Sequence, residues 1–507
     1  MKSLKSACLG DSLHIINIEV SLSPALPAIE IVGLAGTTIK ESTTRVKAAL
    51  NNLQKSCEHA KLPAMRVSVN LSPSDVKKNG SHFDLAIALL IMLQKIRFDN
   101  DFFVFGELGL DGNVRSNAEL FSILLFLSTK AKNIRVLVPQ DIALKAAMIP
   151  NLEVFSICNL EEAFRFFCDS DFAKTCAVTA THPLFEHTVN IAGQVFVPNT
   201  NYELNFSDIK GQDRAKRACI ISAAGMHNIL FEGSPGCGKS MSAKRLRYIL
   251  PPQSLDEVLL ASAYASLNSQ DSDFSALRPY RAPHHTSTRS SIFGGGSQMA
   301  KIGEVALANG GVLFFDELPH FGKQILESMR EPLEDNCINI SRVNSKVRYE
   351  TKFLFVSAMN PCACGNAFSQ SLNCRCNERD IARYKSAISA PLIDRIDLYV
   401  AMSEISANDA SSLTSQQMHK QVMQAFNAQI LRKQKQLNGK LDERDIARFC
   451  QIDNASEQVL NKAISNYHLT QRGINKTLKV ARTIADLSSC EQIQKEHIIE
   501  ALSFRMR

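Results

Sequence analysis

A glycine-rich octapeptide near the middle of the chain constrains the possible folds more than any other feature. Its residues are Gly233, Ser234, Pro235, Gly236, Cys237, Gly238, Lys239 and Ser240. They match G-x-x-x-x-G-K-[ST], a loop whose backbone N–H groups cradle phosphates. The apolar segment 229–231 precedes the octapeptide as a short strand, and residues 241–250 follow without glycine or proline, as in a helix. The sequence therefore predicts a strand, a phosphate-binding loop and a helix N-terminus in this order.

The octapeptide predicts ATP and Mg²⁺ as ligands. We expect the eight residues to surround the nucleotide phosphates, with Lys239 at the β- and γ-phosphates and the Ser240 hydroxyl on Mg²⁺. A glycine-rich turn without function is the alternative, because roughly a few per cent of chains this long contain such a match by chance. The interpretation therefore depends on further residues that complete the site.

Two apolar strands downstream end in polar residues that suit such a site. Gly311–Phe315 runs into Asp316 and Glu317, and Phe353–Ser357 is followed closely by Asn360. With helical stretches between them, the three strands predict a parallel sheet with helices on both faces, whose ligand lies beyond the carboxyl ends of the strands. Asp316 is expected to hold Mg²⁺, Glu317 to polarise the attacking water, and Asn360 to bind that water or the γ-phosphate. The alternatives are a helix N-cap pair for the two acidic residues and a turn residue for Asn360.

Two arginines later in the chain are further candidates. Arg395, within Pro391–Asp397, is expected either to act as an arginine finger in a neighbouring subunit or to pair with an adjacent aspartate. Arg482 lies in a predicted helix from which it could close over the nucleotide. Spacing alone does not decide between these interpretations.

Four of the fourteen cysteines are clustered in a C-x-C…C-x-C pattern. They are Cys362, Cys364, Cys374 and Cys376. Residues i and i+2 of an extended segment point the same way, so each pair can offer two thiolates to one tetrahedral Zn²⁺. Because structural zinc sites more often use C-x-x-C, a zinc site and four reduced, unligated thiols both remain open.

The composition indicates a soluble cytoplasmic protein. Of 507 residues, 45% are hydrophobic and 21% are charged, and the net charge of +7 permits contact with nucleic acid. The longest apolar run, Leu85–Leu93, is shorter than the ~20 residues that a membrane span needs, and no signal peptide is evident. The remaining cysteines are scattered, which suits a reducing compartment better than a disulfide framework.

Four segments are predicted along the chain. Residues 1–170 mix helices with alternating strands in an α/β domain, and residues 171–205, which lack clear periodicity, form a linker. Residues 206–404 hold the phosphate-binding loop and the cysteine cluster. Residues 405–507 contain only two glycines and no proline, and they are predicted to form a helical domain of three or four helices.

Longer motifs surround these candidates. They are Arg281–His285, Gly294–Ser297, Gly303–Glu304, Gly311–Pro319, Ala358–Cys362, Cys374–Cys376 and Pro391–Asp397. Together they resemble the YifB/ComM family of magnesium chelatase-like AAA+ ATPases over essentially the whole chain. The resemblance implies ATP hydrolysis in a homohexameric ring, with Asn360 as sensor 1, Arg395 as arginine finger and Arg482 as sensor 2. It also implies a C-terminal helical lid and a DNA helicase that drives branch migration during recombination of incoming DNA.

The first 170 residues resemble the proteolytic domain of Lon proteases, notably at Gly106–Gly112. The Lon pattern would place its nucleophilic serine where this chain has His82, and Ser116–Thr129 contains no lysine for a Ser–Lys dyad. The resemblance therefore implies a non-proteolytic domain.

Two functions follow as hypotheses. The first is an ATP-driven motor on single-stranded or branched DNA. The second is a chelatase-type ATPase subunit that remodels a partner protein during metal insertion into a tetrapyrrole. An ATP-dependent protease is disfavoured by the missing dyad, and the adjacent His284 and His285 are expected to have a structural role rather than to bind metal.

Overall fold

A computed structural model describes residues 2–10, 13–55, 57–268, 273–295, 301–342, 345–369, 372–404, 410 and 413–505. The chain forms two compact units. The first comprises Met1–Glu186, Val258–Phe274 and Ser341–Arg348, and the second comprises His187–Glu257, Ser275–Ile340 and Tyr349–Arg507. None of the described helices is both long and apolar enough to cross a bilayer.

The first unit is built on an eight-stranded mixed sheet. Its strands and those of a small hairpin are β1 (Lys2–Leu9), β2 (Leu13–Ser23), β3 (Ala28–Val32), β4 (Arg66–Ser72), β5 (Phe103–Val104), β6 (Glu107–Leu108), β7 (Val114–Arg115), β8 (Ile134–Pro139), β9 (Leu152–Ile157) and β10 (Ala177–Val178). The sheet order is β10-β9-β8-β5-β1-β2-β4-β3, and β6 pairs with β7 across a turn that contains Asp111 and Gly112.

Six helices accompany this sheet. They are α1 (Thr37–Leu53), α2 (Asp84–Met92), α3 (Leu120–Ser128), α4 (Gln140–Ala147), α5 (Leu160–Cys168) and α6 (Ser170–Thr175). All nine residues of α2 are buried, as is typical of a helix that is apolar on nearly every side. In the middle of β2, residues alternate between buried and more exposed positions, as expected for a strand with one covered face.

The second unit contains a five-stranded sheet in which every pairing is parallel. The described strands after residue 186 are β11 (Val189–Ile191), β12 (Gln194–Val197), β13 (Ile229–Gly233), β14 (Gln253–Ser254), β15 (Tyr280–Arg281), β16 (Gly294–Gly295), β17 (Lys301–Ile302), β18 (Val312–Phe315), β19 (Cys337–Arg342), β20 (Ser345–Glu350), β21 (Leu354–Met359) and β22 (Leu398–Met402). The range Ser341–Arg348, which includes parts of β19 and β20, belongs to the first unit. The parallel sheet has the order β15-β18-β21-β13-β22. The three strands predicted from the sequence are therefore adjacent in it.

The remaining helices lie between these strands or after them in the chain, and the range Val258–Phe274 among them belongs to the first unit. They are α7 (Asp213–Gly225), α8 (Lys239–Ile249), α9 (Leu255–Leu267), α10 (Arg289–Phe293), α11 (Glu304–Leu307), α12 (Lys323–Ser328), α13 (Arg330–Asp335), α14 (Glu378–Lys385), α15 (Ala390–Ile393), α16 (Ser415–Leu431), α17 (Glu443–Phe449), α18 (Asn454–Tyr467), α19 (Gln471–Leu487) and α20 (Lys495–Ser503). The described part after residue 412 holds five α-helices, α16 to α20, where three or four were expected. The short α17 and α20 are the helices that sequence periodicity resolves least well.

The range 171–205 is more regular than its sequence suggests. It contains most of α6 together with β10, β11 and β12, and β12 pairs with β14 as well as β11. The sequence does not reveal these elements, because elements of two to six residues are too short to show periodicity. The two units meet along the chain at Glu186 and His187, inside this range.

Candidate nucleotide-binding site

The phosphate-binding loop connects β13 to α8 in the way the octapeptide predicts. Strand β13 ends at Gly233 and helix α8 begins at Lys239. Gly236 and Gly238 have φ angles of 83° and 94°, a left-handed conformation that side chains with Cβ rarely adopt. A Cβ at Gly236 would meet no atom within 4 Å, so open space lies over this part of the loop. Backbone N–H groups there and at the start of α8 are available to an anion.

The Lys239 side chain lies across the loop and reaches Asn360, which follows the third predicted strand. Its Nζ donates to the carbonyl oxygens of Gly233 (2.6 Å) and Ser234 (2.9 Å) and to Oδ1 of Asn360 (3.2 Å). Burial lowers the pKa of Lys239, and nearby Cys237 and Asp316 partly offset that effect. A phosphate group would provide the buried ammonium with a negatively charged partner.

The predicted magnesium ligands are also in contact. Ser240 Oγ donates to Asp316 Oδ2 at 2.7 Å, which places a hydroxyl and a carboxylate oxygen side by side. Hard oxygen donors of this kind are the ligands that Mg²⁺ prefers. The Ser234 hydroxyl is buried and has no hydrogen-bond partner among the described residues. The residues present therefore fit a nucleoside triphosphate with its magnesium ion.

Glu317 lies beside this pair at the end of β18. Its backbone N–H donates to Asp316 Oδ1 (2.9 Å), its φ is 52°, and its side chain is 53% exposed. A left-handed glutamate is a strained backbone position of the kind that occurs at functional sites. The structure thus brings Lys239, Ser240, Asp316 and Asn360 together at one sheet edge, with Glu317 adjoining them.

His285, for which the sequence predicts a structural role, lies beside Glu317 in the structure. Its Nδ1 lies 3.4 Å from Glu317 Oε2, and its ring lies 5.9 Å, centroid to centroid, from that of His320. Residues after β15 reach the same sheet edge because β15 is parallel to β18. Because β15 has only two residues, no sequence pattern indicates this position. Arg281, four residues earlier, is paired with Glu304 at 2.8 Å.

Arg395 lies at the opposite end of the sheet from the loop of its own chain. Its backbone oxygen accepts from the Asn228 amide at 2.8 Å, and Asn228 directly precedes β13. At about 3.3 Å per strand residue, the loop starts roughly 16 Å further along β13. The guanidinium donates to Pro391 O (2.6 Å) and pairs with Glu334.

Arg472 at the start of α19 shares the same acidic partner. Its guanidinium also donates to Glu334, and 46% of its side chain is exposed. Hydrogen bonds from Arg395 in particular lower the pKa of Glu334. Sequence reasoning overlooked Arg472, since an arginine at a helix start is unremarkable without its spatial neighbours.

Arg482, which was expected to close over the nucleotide, is packed among the C-terminal helices in this structure. Arg482 is 1% exposed inside the C-terminal helices, where it donates to Asp486 and to the carbonyl oxygens of Cys490 (2.6 Å) and Glu491 (2.7 Å). These bonds occupy its Nε and both terminal nitrogens. The buried face of α19 therefore holds this residue in the helical packing.

The four clustered cysteines come together just beyond Asn360. Their sulfur atoms all lie within 4.8 Å of one another, and none is in a disulfide. Backbone N–H groups of Asn366 and then Arg375 lower the pKa of Cys364 to about 6. The sulfurs of Cys362, Cys364, Cys374 and Cys376 thus form the arrangement that the C-x-C pairs predict. Gly296 and Ser297 of the Gly294–Ser297 motif lie outside the described residues.

Three family models match successive parts of the chain. The model for "Subunit ChlI of Mg-chelatase" matches residues 18–142, that for "Magnesium chelatase, subunit ChlI" matches 205–410, and that for "Magnesium chelatase, subunit ChlI C-terminal" matches 412–505. The second of these contains the octapeptide and the other residues that meet at the sheet edge.

Bacterial relatives match the chain over nearly its full length. "Competence protein ComM" of Haemophilus influenzae is 35% identical over 510 residues, which cover 98% of this chain and 96% of the relative. Two proteins named YifB and described as uncharacterized, from Salmonella typhimurium and Escherichia coli, are 34% and 33% identical with the same coverage.

Proposed function

The chain belongs to the YifB/ComM family of magnesium chelatase-like AAA+ ATPases, and on that premise we propose that it is a homohexameric motor that uses ATP to remodel branched or single-stranded DNA. The proposed activity is that of a helicase in branch migration, during recombination or natural transformation. ATP is the proposed substrate, Mg²⁺ its metal, and Zn²⁺ is assigned to the four clustered cysteines. The convergence of Lys239, Ser240, Asp316 and Asn360 is the observation that supports ATP hydrolysis most directly.

Each residue at the sheet edge has a distinct proposed task. Lys239 stabilises charge on the β- and γ-phosphates, and Asn360, at 3.2 Å from its ammonium, orients the γ-phosphate or the attacking water. Glu317 accepts a proton from that water, and His285 at 3.4 Å positions the carboxylate. Ser240 and Asp316 supply oxygen ligands to Mg²⁺, which, when bound, neutralises charge that develops on the phosphates.

The position of Arg395 supports a ring rather than a monomeric enzyme. Because roughly 16 Å of strand separates it from the loop of its own chain, an arginine at this place reaches a γ-phosphate only in the site of a neighbouring subunit. An arginine finger supplied in this way stabilises transition-state charge. When subunits assemble, the Arg395 guanidinium would leave Glu334 and bind the γ-phosphate in the neighbouring site.

DNA stimulation of ATP hydrolysis tests the proposed motor. We expect wild type to hydrolyse ATP faster with forked DNA than without it, to unwind that DNA, and to have the mass of a hexamer with nucleotide bound. Lys239→Ala serves as the control and is expected to lose nucleotide binding and both activities. ATP hydrolysis that neither binds nor responds to single-stranded or forked DNA would exclude the DNA role while leaving the ATPase intact.

A chelatase-type role is the second candidate, because the matching family models are named for a magnesium chelatase subunit. In that case the chain would use ATP to remodel a partner protein during metal insertion. Porphyrin metallation that depends on this chain would favour it over the DNA motor.

The N-terminal unit is proposed to be non-proteolytic. His82, at the position expected for the nucleophile, is 1% exposed and its ring nitrogens contact Ala7 O (2.9 Å) and Asn117 Nδ2 (3.1 Å). A buried, hydrogen-bonded imidazole is unavailable to a peptide substrate. Absence of casein digestion by the purified protein is the expected result.

A further inference from the structure

The sulfur atoms of the cysteine cluster have the spacing of metal ligands. Cys362 Sγ lies 3.4 Å from Cys364 Sγ and 3.7 Å from Cys374 Sγ, and the latter two are 3.6 Å apart. Four sulfurs bonded to Zn²⁺ at about 2.3 Å are about 3.8 Å apart in a tetrahedron. Disulfide sulfurs would be separated by only about 2 Å. Four thiolates with no open position make a structural rather than a catalytic zinc site.

The first cysteine pair lies against the phosphate-binding loop. Cys362 comes two residues after Asn360, directly beyond the end of β21. At Gly365, where φ is 84°, a Cβ would lie 2.9 Å from Cδ of Pro235 in the loop, closer than Cβ atoms approach other atoms. The backbone of this turn therefore packs directly on the loop, and glycine permits the contact.

The second cysteine pair is linked to the loop through the helix that follows it. Cys376 is followed by α14, whose Lys385 Nζ lies 2.7 Å from the fully buried carboxylate of Glu232. Tyr399 donates to the same carboxylate at 2.7 Å. Glu232 immediately precedes Gly233, the first residue of the octapeptide. Removal of its cationic partner from a buried carboxylate is unfavourable, so this pairing holds α14 beside the loop.

We propose that a Zn²⁺ ion bound by Cys362, Cys364, Cys374 and Cys376 ties these two segments together and thereby holds Asn360 and the phosphate-binding loop in their ATP-binding arrangement. Without the ion, the contacts of the cysteine sulfurs are weak hydrogen bonds, and the closure entropy of the nine-residue segment between the two pairs opposes the arrangement. Metal binding offsets this cost, as in other small zinc-bound loops. The inference rests on the proposed ATP site.

The expected consequence is a zinc requirement for ATP turnover. A displacement of reacting groups by about 1 Å costs on the order of 100-fold in rate. We therefore expect metal-free protein to hydrolyse ATP roughly 10- to 100-fold more slowly and to bind a fluorescent ATP analogue more weakly. Zinc added back should restore both properties.

The experiment uses the full chain purified without chelators, and compares wild type with Cys364→Ser/Cys374→Ser. Both of these cysteines are exposed. Cys168→Ser, which replaces another exposed cysteine, is the matched control. Metal content by mass spectrometry should show about one zinc per chain in wild type and control and little in the double variant. Cobalt-substituted wild type should show the visible absorption of a tetrahedral tetrathiolate site.

The possible results test the metal site, its supporting role and the proposed ATPase separately. Zinc below about half an equivalent in wild type, together with no tetrathiolate cobalt spectrum, would overturn the metal site. Metal-free wild type that binds nucleotide and hydrolyses ATP like the zinc-loaded protein would overturn the supporting role, even if the double variant fails to fold. Zinc-loaded wild type that binds no nucleotide would refute the proposed ATPase, while its zinc content still decides the metal site.

Discussion

Replacement of Arg482 by methionine should loosen the C-terminal helices rather than remove a contact to ATP. In wild type, Arg482 donates to Asp486 and to two backbone carbonyl oxygens. In the variant, Asp486 retains Arg432 and Asn438 as partners, but both carbonyls lose theirs. Hydrogen bonds that involve a charged group contribute about 1.5–3 kcal/mol each, and the variant loses those to both carbonyls together with one cationic partner of the buried Asp486 carboxylate. We expect a loss of about 3–5 kcal/mol in the local opening free energy.

Hydrogen exchange measured by mass spectrometry on nucleotide-free protein provides the assay. With about 1.4 kcal/mol for each factor of ten, amides in α19 and α20 should exchange faster by about two to four powers of ten. Arg472→Met is the matched control on the same helix, because its half-exposed ion pair is worth only about 0–1 kcal/mol. Unchanged protection in Arg482→Met, combined with weakened ATP binding, would refute this explanation and restore a direct contact with nucleotide.

Two further predictions concern subunit contact and pH. Arg395→Ala is expected to lower ATP turnover about 1,000-fold with nucleotide binding preserved, and mixing it with inactive Lys239→Ala chains should recover activity; a complete lack of recovery would argue against action between subunits. Burial lowers the pKa of His82 and of His227 to about 4. Unfolded histidines take up a proton near 6.5, so stability is full above this pH and about 3 kcal/mol per histidine is lost as pH falls towards 4. Calorimetric melting temperatures should therefore fall from pH 7 to pH 5, more steeply in wild type than in His227→Gln, and a flat profile would contradict the assignment.

The parts of the site that could be predicted from sequence are those fixed by local pattern and sheet topology. The octapeptide after an apolar strand specifies its own backbone, since Gly236 and Gly238 adopt φ angles that other residues avoid. Parallel pairing of the strands before Asp316 and Asn360 then brings these residues to the loop. Both inferences use short stretches of sequence and one general rule of topology.

The parts that could not be predicted depend on which side of an element faces the core. Arg472 and Arg482 lie on the same helix, yet one is half exposed and the other is buried. Their sequence context shows a helix, but does not reveal that the segment between α16 and α17 supplies Asp486 with Arg432 and Asn438. Likewise, the contact of His285 with Glu317 depends on the edge position of β15, a strand of only two residues.

Steady-state ATP hydrolysis by wild type and Glu317→Gln, measured together with binding of Mg²⁺–ATP, tests the assembled nucleotide site most directly. We expect both proteins to bind nucleotide with similar affinity, because the loop, Lys239 and Asp316 are unchanged. Turnover by the variant should fall by about 100-fold or more, since glutamine cannot accept the proton of the attacking water. A wild type that binds no Mg²⁺–ATP, or a variant that hydrolyses it at the wild-type rate, would contradict the assignment of this sheet edge as an ATPase site.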